Sequence, residues 1–197
     1  MVTIVRFSRR KEQVSLSQKK EPYIAHRRQE DGKEQGLLDH LRNTARLAYS
    51  FADGFGAGQL ASDIALAHDA GKYSRKFQRY IRGEKLKVDH SSPGGQLIIE
   101  QQQKKLGMIA AYCIMGHHGG LPNGGSMEDS QDDSSLHGRL KKVVEDCSAY
   151  TKELSLPSLE PPEVTIFDGF NVAFLIRMLF SSVSLTHPLP LLCVFST

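Results

Sequence analysis

The chain has 197 residues, of which 40% are hydrophobic and 24% charged, and its formal net charge is +3. This length and composition are typical of one globular domain with a hydrophobic core. The overall charge says little about partners, but residues 1–28 contain eight Lys and Arg residues against two Glu residues. Such a basic arm can contact nucleic-acid phosphates, and a solvated terminus is the plainer interpretation.

Several classes of protein are disfavoured by the residue pattern. The three cysteines show no CxxC spacing, which argues against a disulfide framework and a zinc ribbon. Met1–Lys20 lacks the apolar stretch of a secretory signal. The most apolar late stretch, Val172–Val183, is interrupted by an arginine and is too short to span a bilayer. We therefore expect a cytoplasmic protein without a membrane partner.

Hydrophobic periodicity predicts an all-α fold, preceded by a strand fragment and loop within residues 1–33. Gly, Asp and Ser dominate residues 119–135, which predicts a long loop, and three prolines between 157 and 162 indicate a linker. Ser92 is the predicted N-cap of the fourth helix, with a proline at the first helical position. The predicted helices are Leu37–Asp53, Gln59–Ala70, Ser74–Ile81, Pro93–Lys105, Met108–Met115, Leu136–Leu154 and Phe167–Ser184.

Five histidines and one aspartate lie at the ends or on the faces of these helices. Neutral imidazole and carboxylate bind divalent metals, and two metals that share a bridging carboxylate can promote phosphate-ester hydrolysis. A lone histidine on an apolar helix is more often a packed core residue, but this ordered combination is more specific. The candidates are His40, His68, Asp69, His90, His117 and His118.

Lys72 shares a helix face with His68 and Asp69, so its ammonium could hold a phosphate oxygen or steady the carboxylate. A surface salt bridge is the plainer alternative. His26, His137 and His187 do not fit the pattern and are assigned no role.

Five stretches carry a resemblance to a known family: Tyr23–His26, Gly36–Leu41, Leu66–Lys72, Val88–Gly95 and Gly116–Pro122. In order and context they resemble the HD-domain superfamily of metal-dependent phosphohydrolases. They are most similar to the HD nuclease domain of the CRISPR-associated Cas3 proteins, over about residues 22–183. The resemblance implies a helical bundle with a central metal site. It divides the chain into a basic arm (1–21), an HD nuclease domain (22–184) and an atypical apolar tail (185–197).

The resemblance also implies an activity and partners. The activity is metal-dependent cleavage of single-stranded DNA during CRISPR interference, an antiviral defence. The partners are a Cas3-type helicase and a crRNA-guided Cascade complex. The sequence contains no GxxxxGK[ST] phosphate loop, so it resembles the stand-alone nuclease or a fragment without its helicase.

The same resemblance implies two overlapping sites for divalent metal ions. His40, His68 and Asp69 would hold one ion, and Asp69, His90, His117 and His118 would hold the second. Lys72 and Asp69 are the implied catalytic residues. These ligands do not distinguish Mn²⁺, Mg²⁺, Co²⁺, Ni²⁺, Fe²⁺ and Zn²⁺.

One departure concerns the last helix, where similar domains place a further aspartate in a context like Leu-Phe-Ser-Ser-Leu-Val-Asp-Ala-Asp. Here Leu179–Val183 is followed by Ser184–Pro188, and no acidic side chain follows Asp168. A frameshift or truncation is one hypothesis, because a back-translation of Val183–His187 reads Leu-Val-Asp-Ala in another frame. The missing ligand predicts weaker retention of the first ion and reduced nuclease activity.

Two alternative functions remain open. One is an HD phosphohydrolase that acts on small nucleotides, and the basic arm and third helix mildly favour a polymeric substrate instead. The other is a catalytically impaired HD domain that docks a helicase or nucleic acid, which the missing aspartate supports. A helical domain with scattered histidines is the plainest interpretation of all.

Overall fold

The computed structural model describes residues 21–102, 104–163 and 169–186. The expected basic arm therefore lies outside the described residues except for Glu21, as do Asp168 and His187. Of the expected tail, Leu185 and Thr186 are described, and they end the last helix. The elements in the described parts are β1 (Ile24–Arg27), β2 (Glu34–Gly36), α1 (Leu37–Ala52), α2 (Gly58–Ala67), α3 (Arg75–Ile81), α4 (Ser91–Gln101), α5 (Lys104–Gly116), α6 (Leu136–Leu140) and α7 (Gly169–Thr186).

We expected an all-α fold, and the described residues are indeed mostly helical. The expected strand fragment is one strand of a β-hairpin. β1 and β2 pair antiparallel, with Ile24 opposite Gly36 and His26 opposite Gln35. β1 thus has one more residue than β2 between these two pairs, and Ala25 forms a β-bulge. The hairpin leads directly into α1. The first residue of α1, Leu37, donates its N–H to the carbonyl of Tyr23 at 2.9 Å.

The main core lies where α1, α2, α5 and α7 meet, with α4 packed on α5. α1 and α2 approach closely because their facing side chains are mostly alanines, among them Ala48 and Ala61, which are fully buried. Ile114 of α5 and Leu179 of α7 are also fully buried. Cys113 of α5 is also buried in this core.

The start of α4 differs from the prediction that Ser92 is the N-cap. α4 begins at Ser91, and the carboxylate of Asp89 accepts hydrogen bonds from the N–H and hydroxyl of Ser92, at 3.0 and 2.7 Å. His90 occupies the N-cap position without a side-chain cap bond, and the Asp89 carboxylate one residue earlier satisfies the Ser92 N–H, as an anion at a helix N-terminus is favoured to do. His90 is thereby held immediately before the first turn of α4.

The predicted helix Leu136–Leu154 is wrong beyond its first turn. α6 ends at Leu140, and a 3₁₀ turn at Ser148–Lys152 follows an irregular stretch. The side-chain amide of Gln96 in α4 donates to the carbonyls of Arg139 and Lys142, at 3.1 and 2.8 Å. These carbonyls would otherwise accept from the next helical turn, so α4 takes the hydrogen bonds that would continue α6.

No helix within the described ranges has both the length and the apolar character needed to cross a membrane.

Candidate metal centre

Asp69 lies at the centre of the histidine cluster and is fully buried. Its Oδ2 atom lies 3.0 Å from His40 Nε2 and 3.1 Å from His68 Nε2. Its Oδ1 atom lies 3.5 Å from His90 Nε2 and 3.4 Å from His117 Nε2. The two carboxylate oxygens therefore face two different sets of imidazoles, as a carboxylate that bridges two ions would.

We call His40, His68 and Asp69 the first group, and Asp69, His90, His117 and His118 the second group. One ligand atom from each member of the second group lies within 4.8 Å of the others, so this group could hold a metal ion. His117 and Asp69 are buried, whereas His118 is exposed, so the second group reaches the surface. The five histidines proposed from the sequence thus lie around the carboxylate of the sixth candidate, Asp69.

Backbone carbonyls fix the orientation of two rings. His68 Nδ1 lies 2.6 Å from the carbonyl of Ala65, and His117 Nδ1 lies 2.5 Å from that of Ile114. A carbonyl oxygen can only accept, so Nδ1 of each ring carries a proton, and in the neutral ring the Nε2 lone pair points towards Asp69. This arrangement, in which the other ring nitrogen donates to the backbone, is the usual support of a metal-bound histidine.

The donor set fits a divalent cation. A neutral imidazole lone pair and a carboxylate oxygen repel each other unless a positive charge lies between them. Burial lowers the pKa of His117, despite its contact with Asp69, so the ring is neutral near pH 7. A divalent ion bound between His117 and Asp69 would remove this repulsion and take both as ligands.

The neighbouring groups have the protonation states that metal ligands need. Burial lowers the pKa of His40 to about 4 and that of His90 to about 3. Burial also lowers the pKa of the more exposed His118, to about 4. Burial opposes ionisation of Asp69, but the charges of His68 and Lys72 hold its pKa well below the usual value. The neutral rings of His40, His90, His117 and His118 require no proton loss near pH 7 before they bind a cation beside the ionised carboxylate.

Lys72 belongs to this centre. Its Nζ atom lies 2.8 Å from Asp69 Oδ2 and donates to the carbonyl of Ala25 at 3.3 Å. The alternative of a surface salt bridge is wrong, because both side chains are buried. The turn at Ala70–Tyr73 folds Lys72 back over the carboxylate that precedes it.

Two glycines allow α4 to lie against the turn that carries Asp69. A Cβ atom on Gly71 would lie 2.0 Å from the carbonyl oxygen of His90. A Cβ atom on Gly94 would lie 3.1 Å from the carbonyl oxygen of Ala67. Any side chain at position 71 would therefore require the backbone of His90 or of the turn itself to shift.

The structure adds a histidine that the sequence analysis left without a role. His26 in β1 joins His40 and Asp69 in a further set whose ligand atoms lie within 4.8 Å of one another. The rings of His26 and His40 are 4.8 Å apart between centroids. The sequence signal was its place in the first matched stretch, Tyr23–His26, but helical spacing cannot place a residue that lies on a strand.

The described part of α7 contributes no carboxylate, because Gly169–Thr186 contains no acidic residue. The helix nevertheless passes close to the second group, since a Cβ atom on Gly116 would lie 3.2 Å from the ring of Phe180. When the expected context Leu-Phe-Ser-Ser-Leu-Val-Asp-Ala-Asp is aligned from Leu179, its first aspartate falls on Leu185, which is 59% exposed.

An open groove of about 850 Å³ runs beside the centre. Lys72, His90 and His118 are among its lining residues, so the groove adjoins the metal centre. Its other lining residues include the basic Arg27, Lys85 and Lys87, the aromatic Phe77 and Tyr80, and the acidic Glu84.

No protein-family model matches the chain, and no curated protein matches it significantly.

Proposed function

We propose that the protein is a metal-dependent phosphodiesterase of the HD type that cleaves single-stranded DNA in CRISPR interference. In this role it would act beside a Cas3-type helicase and a crRNA-guided Cascade complex. The observation that carries the proposal is the position of Asp69, with one oxygen towards each of two imidazole groups. The resemblance of the histidine motifs to the HD nucleases supplies the reaction class.

Bound divalent ions would activate a water molecule and neutralise the charge that develops on the phosphate. The chain's own residues have separate parts in this scheme. Asp69 would hold both ions, and the carbonyls of Ala65 and Ile114 orient the rings of His68 and His117. Lys72 borders the groove and would contact a phosphate oxygen when an ion takes over its place beside Asp69.

The groove favours a polymeric substrate over a mononucleotide. Arg27, Lys85 and Lys87 can neutralise successive phosphates along it. Tyr80, which is 48% exposed, offers a ring face on which an unpaired base can stack. Basic grooves with aromatic platforms are typical of single-strand binding.

The test is a cleavage assay on metal-stripped protein resupplied in turn with Mn²⁺, Mg²⁺, Co²⁺, Ni²⁺, Fe²⁺ and Zn²⁺. Single-stranded DNA, duplex DNA and mononucleotides are compared as substrates. We expect cleavage of the single strand, which His68→Ala and Asp69→Asn abolish. His137→Ala is the matched control, because His137 belongs to neither metal group, and it should retain activity.

Two other outcomes would favour the alternatives. Hydrolysis confined to mononucleotides would indicate a small-nucleotide phosphohydrolase. Binding of single-stranded DNA without cleavage under any metal would indicate a docking module, which the lack of an acidic residue in the described α7 favours. If the protein binds DNA without cleaving it, stoichiometric metal binding would show that the metal centre is intact although the activity is lost.

A further inference from the structure

We propose that His26 is a ligand of the first metal ion and supplies the donor that the described part of the last helix lacks. The first ion would then be held by His26, His40, His68 and Asp69. The inference rests on the proposed metal centre, but it assigns a strand residue that helical spacing does not place there and that the implied ligand sets omit.

The first support is proximity. Ligand atoms of His26, His40 and Asp69 lie within 4.8 Å of one another, a spread that one ion can span. His40 Nε2 lies 3.4 Å from His68 Nε2, so the fourth donor adjoins the same space. The Nε2 atom of His26 is itself buried, and the ring borders the groove on the side of Lys72.

The second support is the β-bulge in β1. Ile24 and Ala25 are successive residues and are both buried, so regular alternation of faces is interrupted at Ala25. A bulge re-aims the side chain that follows it and is common beside active sites. Here the next residue is His26, whose ring meets His40 edge to face.

The third support is the anchoring of β1 to the turn that carries Asp69. The side chain of Gln78 accepts from the N–H of Ile24 at 3.1 Å and donates to its carbonyl at 2.9 Å. The same amide group donates to the carbonyl of Lys72 at 2.9 Å. The ammonium of Lys72 donates in turn to the carbonyl of Ala25. His26 is therefore held at a fixed place beside the centre.

The donor set has a consequence for metal choice. Three imidazoles and one carboxylate favour borderline ions such as Co²⁺, Ni²⁺, Fe²⁺ and Zn²⁺ over Mg²⁺, which prefers oxygen ligands. A first group completed by a carboxylate would bind Mn²⁺ and Mg²⁺ relatively better. The substitution of His26 by aspartate makes this change in a single position.

The metal-stripped full chain is titrated with Co²⁺. Calorimetry gives the stoichiometry and affinity, and visible absorption gives the number of ligands around each ion. The wild type should bind two ions. His26→Ala should weaken one of them by at least about tenfold, leave the other unchanged and alter the absorption of the weakened ion. His118→Ala should weaken the other ion alone.

Two further variants guard against a folding defect. His26→Gln keeps the volume and polarity of the side chain and should show the same selective loss as alanine. His26→Asp should retain two ions and improve binding of Mn²⁺ relative to Co²⁺. Unchanged stoichiometry, affinity and absorption in both His26→Ala and His26→Gln would overturn the proposal.

The wild-type titration keeps this test distinct from the proposed function. If the wild type binds two ions but cleaves no nucleic acid, the enzymatic proposal fails and the His26 comparison stands. If the wild type binds no divalent ion, the metal centre itself fails and the assignment of His26 with it. His137→Ala, which should bind both ions as the wild type does, is the control for loss of a histidine.

Discussion

Lys72 and Asp69 form a buried ion pair, and the ammonium lies on the carboxylate oxygen that faces the first group. A charge in this position can stand in for a cation when no ion is bound. Removal of one partner from a buried pair leaves the other charge uncompensated, which costs about 3–5 kcal/mol. We therefore predict that Lys72→Met destabilises the metal-free protein by about that amount, as measured by urea unfolding in chelator.

Saturating Co²⁺ should narrow the stability gap between Lys72→Met and the wild type, because the ion then compensates Asp69. Lys76→Met is the matched control, since Lys76 pairs with Glu145 at the surface and both side chains are largely exposed. It should unfold close to the wild type in both conditions. A gap that Co²⁺ leaves unchanged would mean that Lys72 does not occupy the place of a cation.

Gly71 sets the distance between the turn at Asp69 and the start of α4. The alanine methyl of Gly71→Ala would collide with the carbonyl of His90, which is backbone and cannot rotate away. We predict a loss of about 1–3 kcal/mol in unfolding free energy and weaker binding of the second ion. Calorimetric Co²⁺ titration should show that the first ion is less affected.

Gly54→Ala provides the comparison, because a Cβ atom at position 54 meets no other atom within 4 Å. This variant should keep both ions and the wild-type stability. Equal Co²⁺ binding by Gly71→Ala and Gly54→Ala would contradict the view that the close approach at position 71 positions His90.

At the scale of elements, Arg139 in α6 joins the start of α4 to the end of α5. Its guanidinium donates to the hydroxyls of Ser91 and Ser92, at 2.5 and 3.1 Å, and to the carbonyl of Met115. Ser91 adjoins His90, and Met115 lies two residues before His117. Arg139 is therefore a positioning residue for the second group, although it contacts none of its members.

We predict that Arg139→Met destabilises the protein by about 1–3 kcal/mol, because Ser91, Ser92 and the carbonyl of Met115 lose a charged donor. Calorimetry should show that Co²⁺ binds more weakly at the second site and with unchanged affinity at the first. Arg79→Met is the control, since Arg79 forms an exposed pair with Glu84. If Arg139→Met weakened both ions equally, the effect would be general loss of stability and not positioning.

The elements that the sequence predicted well are those whose hydrogen bonds are internal. The helix predicted at Leu37–Asp53 is found at Leu37–Ala52, because its apolar stripe and its backbone bonds both follow the helical period. The helix predicted at Leu136–Leu154 stops early because Gln96, from a distant part of the chain, takes two of its carbonyls. A contact between residues so far apart in the chain produces no local pattern in the amino-acid sequence.

The same distinction explains the candidate site. Six members could be proposed from the sequence because they occupy helix ends or faces within recognisable motifs. The place of His26 depends on a bulge and on the contacts of Gln78 with Ile24, and a single sequence shows neither. The burial of the pair between Lys72 and Asp69 depends likewise on β1 covering the turn.

At the scale of the whole molecule, folding brings several ionisable side chains into one low-dielectric space. The unfolded chain would protonate its histidines near the ordinary pKa of about 6.5. In the folded protein burial lowers the pKa of His26 and His90 to about 3, and that of His40 to about 4. Between about pH 4 and 6.5 the unfolded state therefore binds more protons than the folded state.

The sign of this linkage is that stability falls as the pH falls through that window. Each histidine that is protonated only in the unfolded chain contributes a slope of up to about 1.4 kcal/mol per pH unit. We predict that the urea midpoint of the metal-free protein changes little between pH 7.5 and about pH 6.5 and drops steadily from there to pH 4.5. A divalent ion at one hundred times its dissociation constant should add about 2.7 kcal/mol at pH 7.5, and less at lower pH as protons compete for the imidazoles. A midpoint that is level from pH 7.5 to 4.5 in chelator would mean that the histidines around Asp69 are not buried as neutral rings.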